Sequence, residues 1–369
     1  MVEVPAQSCT VPARFRLGRW VAVAAAAVLS ACQIPSADLK ERPHAEPVTA
    51  TTSPVVRTGY PEQLVQTVPL AGPLAEPEVE ISGLDWFGDV LVLLPQYPDR
   101  YGHNLFGLPR QALDAALSDP GEAPLEPFPI PLVNGSDLRS LEGYEGLEAI
   151  VFAGSRFYLA VEGRSKGRML GYLIPGKVLG NLEGLELDLA DSILLPPQTS
   201  LMNKAYETLV MQDLQVVAIH ELAGKETNPE RHALLFSAEL EAVGTLDVPE
   251  VEFRITDATR LDPHGRFWAI NFHWPGEKQL PTQGDAIRER WGEGDSHKDV
   301  AIVERLLEME IRDGRIDLVD RPPVELVLLD EVVARNWEGI VRWADEGVLV
   351  VTDRFPTTIL AFVPFPEED

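Results

Sequence analysis

Acidic side chains recur at one place along this chain. Glu145, Glu207, Asp257 and Glu338 each stand just ahead of a small or apolar pair that opens an apolar run. If the repeats are arranged radially, the four carboxylates face a common axis. Like charges at short range raise one another's pKa unless a cation sits among them. A hard divalent ion with oxygen ligands, Ca²⁺ above all, would relieve that repulsion, which makes these four the candidate metal ligands. The plainer alternative is that each carboxylate caps its own turn.

A second polar set closes the apolar run that follows: Gln96, Glu162, Glu221, Asn271 and Asp353, with His220, His273 and Arg354 close by in sequence. His suits general-base work and Arg suits an anionic group. The same His residues could equally be turn or surface residues. The candidate axial site is therefore Glu145, Glu162, Glu207, Glu221, Asp257, Glu338, Asp353 and Arg354. No His-Glu-x-x-His occurs, nor any Gly-x₄-Gly-Lys-Ser/Thr loop. No nucleophile elbow is expected, so a metal is the credible route to hydrolysis. Trp86, Trp268, Trp337 and Trp343 read as core rather than as a ligand platform.

The elements that would position these groups are short strands in repeated units. Each unit has a small or acidic residue, an apolar pair, a turn, and an apolar strand ending in polar residues. Copies begin at residues 83, 146, 208, 258 and 339. Their turns are Gly88-Asp89, Gly154-Ser155, Gln212-Asp213, Pro263-His264-Gly265 and Asp345-Glu346-Gly347, residues that tolerate positive φ. Gly and Pro together make up about a sixth of the chain, which also favours short elements. An all-β array at this period predicts a β-propeller. Five blades fit the copies; the polar stretch 276–298 in the long gap reads as a loop insertion, and a sixth blade would have to come from that gap. Val79–Ile81 is the strand expected to complete the last blade. A β-sandwich or an α+β fold is the rival architecture.

The N-terminus carries a different signal. Arg14, Arg16 and Arg19 precede a twelve-residue apolar run, Trp20–Ala31. A bilayer-spanning helix needs about 20 residues, so this reads as a secretory signal. Leu29-Ser30-Ala31-Cys32 resembles the lipobox of bacterial lipoproteins. That resemblance implies lipidation of Cys32, removal of residues 1–31, and attachment to a membrane of the cell envelope. In a Gram-negative cell, Gln33 rather than Asp after the cysteine implies the periplasmic face of the outer membrane. Cys9 would be lost with the signal, leaving Cys32 alone and no internal disulfide. Residues 32–68, with Pro35, Pro43, Pro47, Pro54 and Pro61, read as a flexible linker, and 69–369 as the propeller domain.

The formal charge is −27, with 58 acidic and 31 basic residues among 369. A phosphate backbone needs a basic face, so nucleic acid is excluded as a partner.

Asn336-Trp337-Glu338-Gly339-Ile340 with Val350-Val351-Thr352-Asp353-Arg354, and Glu145-Gly146-Leu147-Glu148-Ala149-Ile150 with Ala160-Val161-Glu162-Gly163, resemble bacterial phytase-like or esterase-like propellers. The resemblance implies hydrolysis of phosphate or carboxyl esters, sometimes with calcium. Two functions follow from different classes. One is an envelope-anchored propeller that binds a protein or a small molecule. The other is a Ca²⁺-dependent hydrolase of esters or phosphate esters.

Overall fold

The computed structural model describes residues 62–366, apart from 77, 78, 120, 122 and 281–283. These belong to the compact unit Val56–Asp369. The signal segment, Cys32 and the linker up to residue 61 lie outside the described part. No helix among the described residues is long and apolar enough to cross a membrane.

The architecture is all-β, built of curled antiparallel sheets. Two short strands come first, β1 (Glu62–Gln63) and β2 (Gln66–Val68). The first sheet is a meander of β3 (Ile81–Phe87), β4 (Val90–Pro95), β5 (Asn104–Pro109) and β6 (Phe128–Pro131). The second comprises β7 (Tyr144–Ala153), β8 (Arg156–Ser165), β9 (Arg168–Leu179) and β10 (Gly184–Leu187), with β11 (Ile193–Leu195) also on β9.

A larger sheet contains two further meanders. One is β12 (Tyr206–Gln212), β13 (Gln215–His220), β15 (His232–Phe236) and β16 (Ala242–Asp247), with the two-residue β14 (Leu222–Ala223) between β13 and β15 in sequence. The other is β17 (Val251–Ala258), β18 (Arg266–His273), β19 (Val303–Arg312) and β20 (Arg315–Leu318). A single parallel pairing, Asp247 with Arg315, joins them at the outer edge. β21 (Val324–Leu326) lies between β1 and β19. The last sheet is β22 (Trp337–Trp343), β23 (Gly347–Thr352) and β24 (Leu360–Pro364), with β2 on the far side of β24.

The middle strands are apolar on both faces because both faces are covered. Leu91 and Leu93 pack with Trp86, Trp343, Leu349 and Val351, between the first and last sheets. Their neighbours Val92 and Leu94 pack with Ile150, Phe157 and Leu159 of the second sheet. The same period-two split repeats onward. Tyr158 meets Leu209 and Val216; Val217 meets Ile255 and Phe267; Trp268 meets Trp337, Val348 and Val350. Each of the five cores is shared by two successive meanders, and the first strands β3, β7, β12, β17 and β22 touch one another in the same order, with β22 against β3. The expected turns fall where the sequence places them, with Gly88 at φ 57° and Gly154 at φ 62° between the first two strands of their sheets.

Two expectations need correction. Val79–Ile81 does not complete the last sheet. Ile81 opens β3 and pairs with Pro95, whereas Gln66, Thr67 and Val68 pair with Phe362, Ala361 and Leu360. The partner strand looked too polar to be recognised, since of its three residues only Val68 enters the core. It also places β1 and β2 inside the stretch 32–68 read as linker. The polar stretch 276–298 in the long gap, read as a loop insertion, lies between β18 and β19 and carries the short helix α1 (Ala286–Trp291), capped by the Asp285 carboxylate.

Candidate functional site

The first strand of every sheet is irregular near its start. The pairing register slips between Ile81 and Gly83, Tyr144 and Gly146, Tyr206 and Thr208, and Trp337 and Gly339. The residue left over is Ser82, Glu145, Glu207 or Glu338. A bulge re-aims the side chain of its extra residue and bends the strand. The recurring acidic position is therefore a bulge position. β7 slips a second time between Leu147 and Ala149, at Glu148, and β17 slips between Ile255 and Ala258, beside Asp257.

Arg254 organises the carboxylates. It projects from β17 and is buried. Its Nε donates to Glu221 Oε2 at 2.7 Å, and its Nη2 to Glu207 Oε2 at 2.9 Å and Glu338 Oε1 at 3.3 Å. Nη1 donates to Asn336 Oδ1 at 3.3 Å, while Asn336 Nδ2 donates to Glu338 at 2.6 Å and to Asp353 Oδ2 at 2.8 Å. Lys204, also buried, approaches Glu221 at 3.1 Å and Glu277 at 2.6 Å. Gln96 Nε2 donates to Glu148 Oε1 at 3.1 Å.

Besides Glu277, which pairs with Lys204, six carboxyl groups (Glu148, Glu162, Glu207, Glu221, Glu338 and Asp353) share a site with two cations, Lys204 and Arg254. The imbalance shows in their protonation. Burial, then the charges of Glu221 and Glu145, push the Glu162 carboxyl up to about 8. Burial, then Glu338, does the same to Asp353, also to about 8. Burial raises Glu148 and Glu207 well above the usual carboxylate range, and raises Glu338 against the opposing pull of Arg254. Glu221 goes the other way: burial opposes ionisation, but Lys204 and Arg254 outweigh it and hold this carboxyl below its ordinary value.

The structure brings Glu162, Glu207, Glu221, Glu338 and Asp353 together. Three other candidates lie elsewhere. Glu145 is part-exposed and pairs with Arg164 at 3.2 Å. Asp257 is buried and accepts from the amides of Ala258 at 2.8 Å and Ile340 at 2.9 Å, tying β17 to β22. Arg354 pairs with Glu80 at 3.2 Å and is part-exposed. The quartet Glu145, Glu207, Asp257 and Glu338 is therefore not one calcium constellation. Glu207 and Glu338 already meet on a guanidinium, and the other two answer to different partners.

Neither histidine supplies a base here. Burial pushes His220 down to about 4, and its Nδ1 accepts from Leu222 N at 3.0 Å. His273 stacks on Phe253 at 4.4 Å. Asn271 is held by Arg305, which donates to it at 2.8 Å. One Gly-x-Ser-x-Gly spacing does occur, Gly163-Arg164-Ser165-Lys166-Gly167, contrary to expectation. It lies in the hairpin between β8 and β9 rather than in a strand-to-helix elbow, and Ser165 is bonded to Glu142. Sequence reading missed Glu148, Lys204, Arg254 and Asn336. Glu148 and Asn336 stand inside the motifs quoted above; Arg254 and Lys204 carry no such mark.

A second polar group stands apart from these residues. Ligand atoms of Glu62, His297 and Glu325 lie within 4.8 Å of one another and could hold a metal ion.

No family model matches the chain, and no curated protein matches it. Among solved structures it is similar to the catalytic domain of a Coprinopsis cinerea GH62 α-L-arabinofuranosidase, at 6% identity and TM-score 0.43, over 82% of this chain and 96% of that one. It is also similar to a Xanthomonas citri GH43_1 enzyme, at 7% identity and TM-score 0.43, over 82% and 92%. A Cellvibrio cellulosa α-L-arabinanase gives 10% identity and TM-score 0.41, over 79% and 93%. None of these is a phytase or an esterase, and no model of such a propeller or of a lipoprotein matches. The recognition of the chain as a lipoprotein with a phytase-like or esterase-like propeller is corrected accordingly. Short Gly-apolar and Glu-Gly motifs reflect strand starts and bulges that any such architecture needs, so they do not identify an activity.

Proposed function

We propose that the chain is a five-bladed β-propeller hydrolase whose acid–base machinery is the carboxylate cluster around Arg254. The five shared cores and the pairing of β2 with β24 support the blade count. One observation carries the activity: Glu162, pushed up to about 8, stands near Glu221, held below its ordinary value. A carboxyl kept protonated beside one held ionised is suited to general-acid work.

At neutral pH Glu162 carries a proton that it can give to a departing oxygen as the C–O bond breaks. The water that adds to the carbon returns a proton to Glu162. Glu221 is fully buried and does not reach a substrate; its fixed charge keeps the proton on Glu162. The field of seven carboxyls, Glu277 included, against two cations that are both already paired disfavours phosphate esters and suits a neutral, hydroxyl-rich substrate such as a glycoside.

The test uses the full chain with a panel of glycosides bearing phenyl or p-nitrophenyl leaving groups. Glu162→Gln should lower kcat on a phenyl glycoside by about 100-fold or more, the usual worth of a general acid. On the p-nitrophenyl counterpart, whose leaving group needs little protonation, the loss should be far smaller. Equal losses on both, or none, would refute the role.

A second reading is that a hard divalent cation such as Ca²⁺ occupies the cluster. It is favoured by the fact that, among the described residues, no Lys or Arg is ion-paired with Glu148, Glu162 or Asp353. Millimolar Ca²⁺ would then displace protons and shift the alkaline limb of the rate profile downward; an unchanged limb removes that reading.

A further inference from the structure

Glu62 and Glu325 are register partners on the parallel pair β1 and β21, so two carboxylates are directed to one place. Both are shielded from solvent, their side chains 9% and 3% exposed, and between them sits His297, at 2%. His297 Nδ1 is 2.7 Å from Glu62 Oε1 and 3.8 Å from Glu325 Oε2. Ser296 Oγ lies 2.7 Å from Glu62 Oε1 and 3.4 Å from His297 Nδ1. Backbone amides hold the carboxylates from behind: Ser296 N donates to Glu62 Oε2 at 3.1 Å, and Gly294 N to Glu325 Oε2 at 2.5 Å.

Two carboxylates and one imidazole do not balance in a buried site, even when the imidazole is charged. The guanidiniums nearby are committed elsewhere: Arg305 to Asp285 at 2.8 Å and 2.9 Å and to Asn271, and Arg288 to Glu293 and the carbonyls of His297 and Val300. A divalent ion with a neutral His does balance the charge. The far nitrogen of His297, Nε2, is buried and has no hydrogen-bond partner among the described residues. The Glu62 carboxylate accepts from Nδ1 and so places the proton there; a metal bound at Nδ1 would displace that proton.

We propose that Glu62, His297 and Glu325 form a Zn²⁺-type site, distinct from the Arg254 cluster, that fastens the first strand to the outer part of the fourth meander. The donor set decides the class of ion. An imidazole with two carboxylates, and a hydroxyl or water as fourth ligand, suits Zn²⁺ and its neighbours in the first transition row. Ca²⁺ takes six to eight oxygens and is poorly served here. The sequence hides the site because Glu62 stands 235 residues before His297. The structural consequence is local: β1 leads directly into β2, so pinning β1 holds the strand that completes the last sheet.

The experiment uses the full chain, stripped with chelator and then titrated separately with ZnCl₂, CoCl₂ and CaCl₂. The expected result is one equivalent of Zn²⁺ bound, a melting temperature that climbs with Zn²⁺ but not with Ca²⁺, and visible absorption of a tetrahedral Co²⁺ complex. His297→Ala and Glu325→Gln should each abolish all three signals, while Glu162→Gln keeps them. Stripped wild-type protein that binds no Co²⁺ and melts identically with and without Zn²⁺ would overturn the proposal, without need of any variant. So would undiminished binding in His297→Ala.

Discussion

Replacing Glu162 with Gln should make this protein more stable in alkali while removing its acid. The carboxyl is raised from 4.5 to about 8, first by burial and then by Glu221 and Glu145. Between those two values the folded state holds a proton that the unfolded chain has released. Stability therefore falls as pH rises through this window, by up to about 1.4 kcal/mol per pH unit from this group, and levels off above the folded value. Over the whole window the loss is on the order of 5 kcal/mol. Gln resembles the protonated acid in shape and carries no charge, so the variant escapes the loss. At pH 5 the two proteins should unfold alike in urea; by pH 9 the variant should be the more stable by an amount approaching the full loss. Asp353, also raised to about 8, keeps part of the slope in both proteins. Parallel slopes from pH 5 to 9, or a variant less stable than wild type at pH 9, would show that Glu162 is ionised in the fold and that the acid role is misassigned. Stability gained with activity lost is what a strained functional group predicts.

Two further outcomes follow. Arg254→Met leaves Glu207, Glu221 and Glu338 without their shared guanidinium, and should cost about 3–5 kcal/mol at neutral pH in urea unfolding. Glu221 is the group held below its ordinary value, so its contribution exists above the unfolded value and is lost as pH falls through the folded one. The gap between wild type and variant should therefore narrow on acidification. Val68→Asp puts a charge into the core between the first and last sheets, and should lower the melting temperature sharply; an unaffected melt would mean that β2 is not needed to complete the last sheet.

The strand meanders are legible in the sequence because both faces of each middle strand are covered, which leaves long apolar runs punctuated by Gly and Asp. Leu91–Leu94 and Val348–Val351 are of this kind, each run feeding two cores in alternation. β2 was not legible for the opposite reason: at the edge of a sheet, Gln66-Thr67-Val68 buries only its last residue. Val79–Ile81 is more apolar and nearer, and so attracts the assignment. Glu207 and Glu338 could be found because a bulge recurs at one register in successive sheets. Arg254 could not, because its three acidic partners lie 33, 47 and 84 residues away and nothing in a single sequence pairs them.

The bulges also explain why one recurring acidic position serves different purposes. An extra residue in a strand has no ladder partner, so its side chain is free to answer to whatever the neighbouring sheet presents. Between β12, β17 and β22 the neighbour presents Arg254, and Glu207 and Glu338 converge on it. On β7 the guanidinium within reach is Arg164, on the next strand of its own sheet, so Glu145 turns to the rim. The second slip of that strand then brings Glu148 inward in its place, among the charges of Glu162, Glu207 and Glu338. Repetition of the backbone supplies equivalent positions; the cations, which do not repeat, decide which of them become a site.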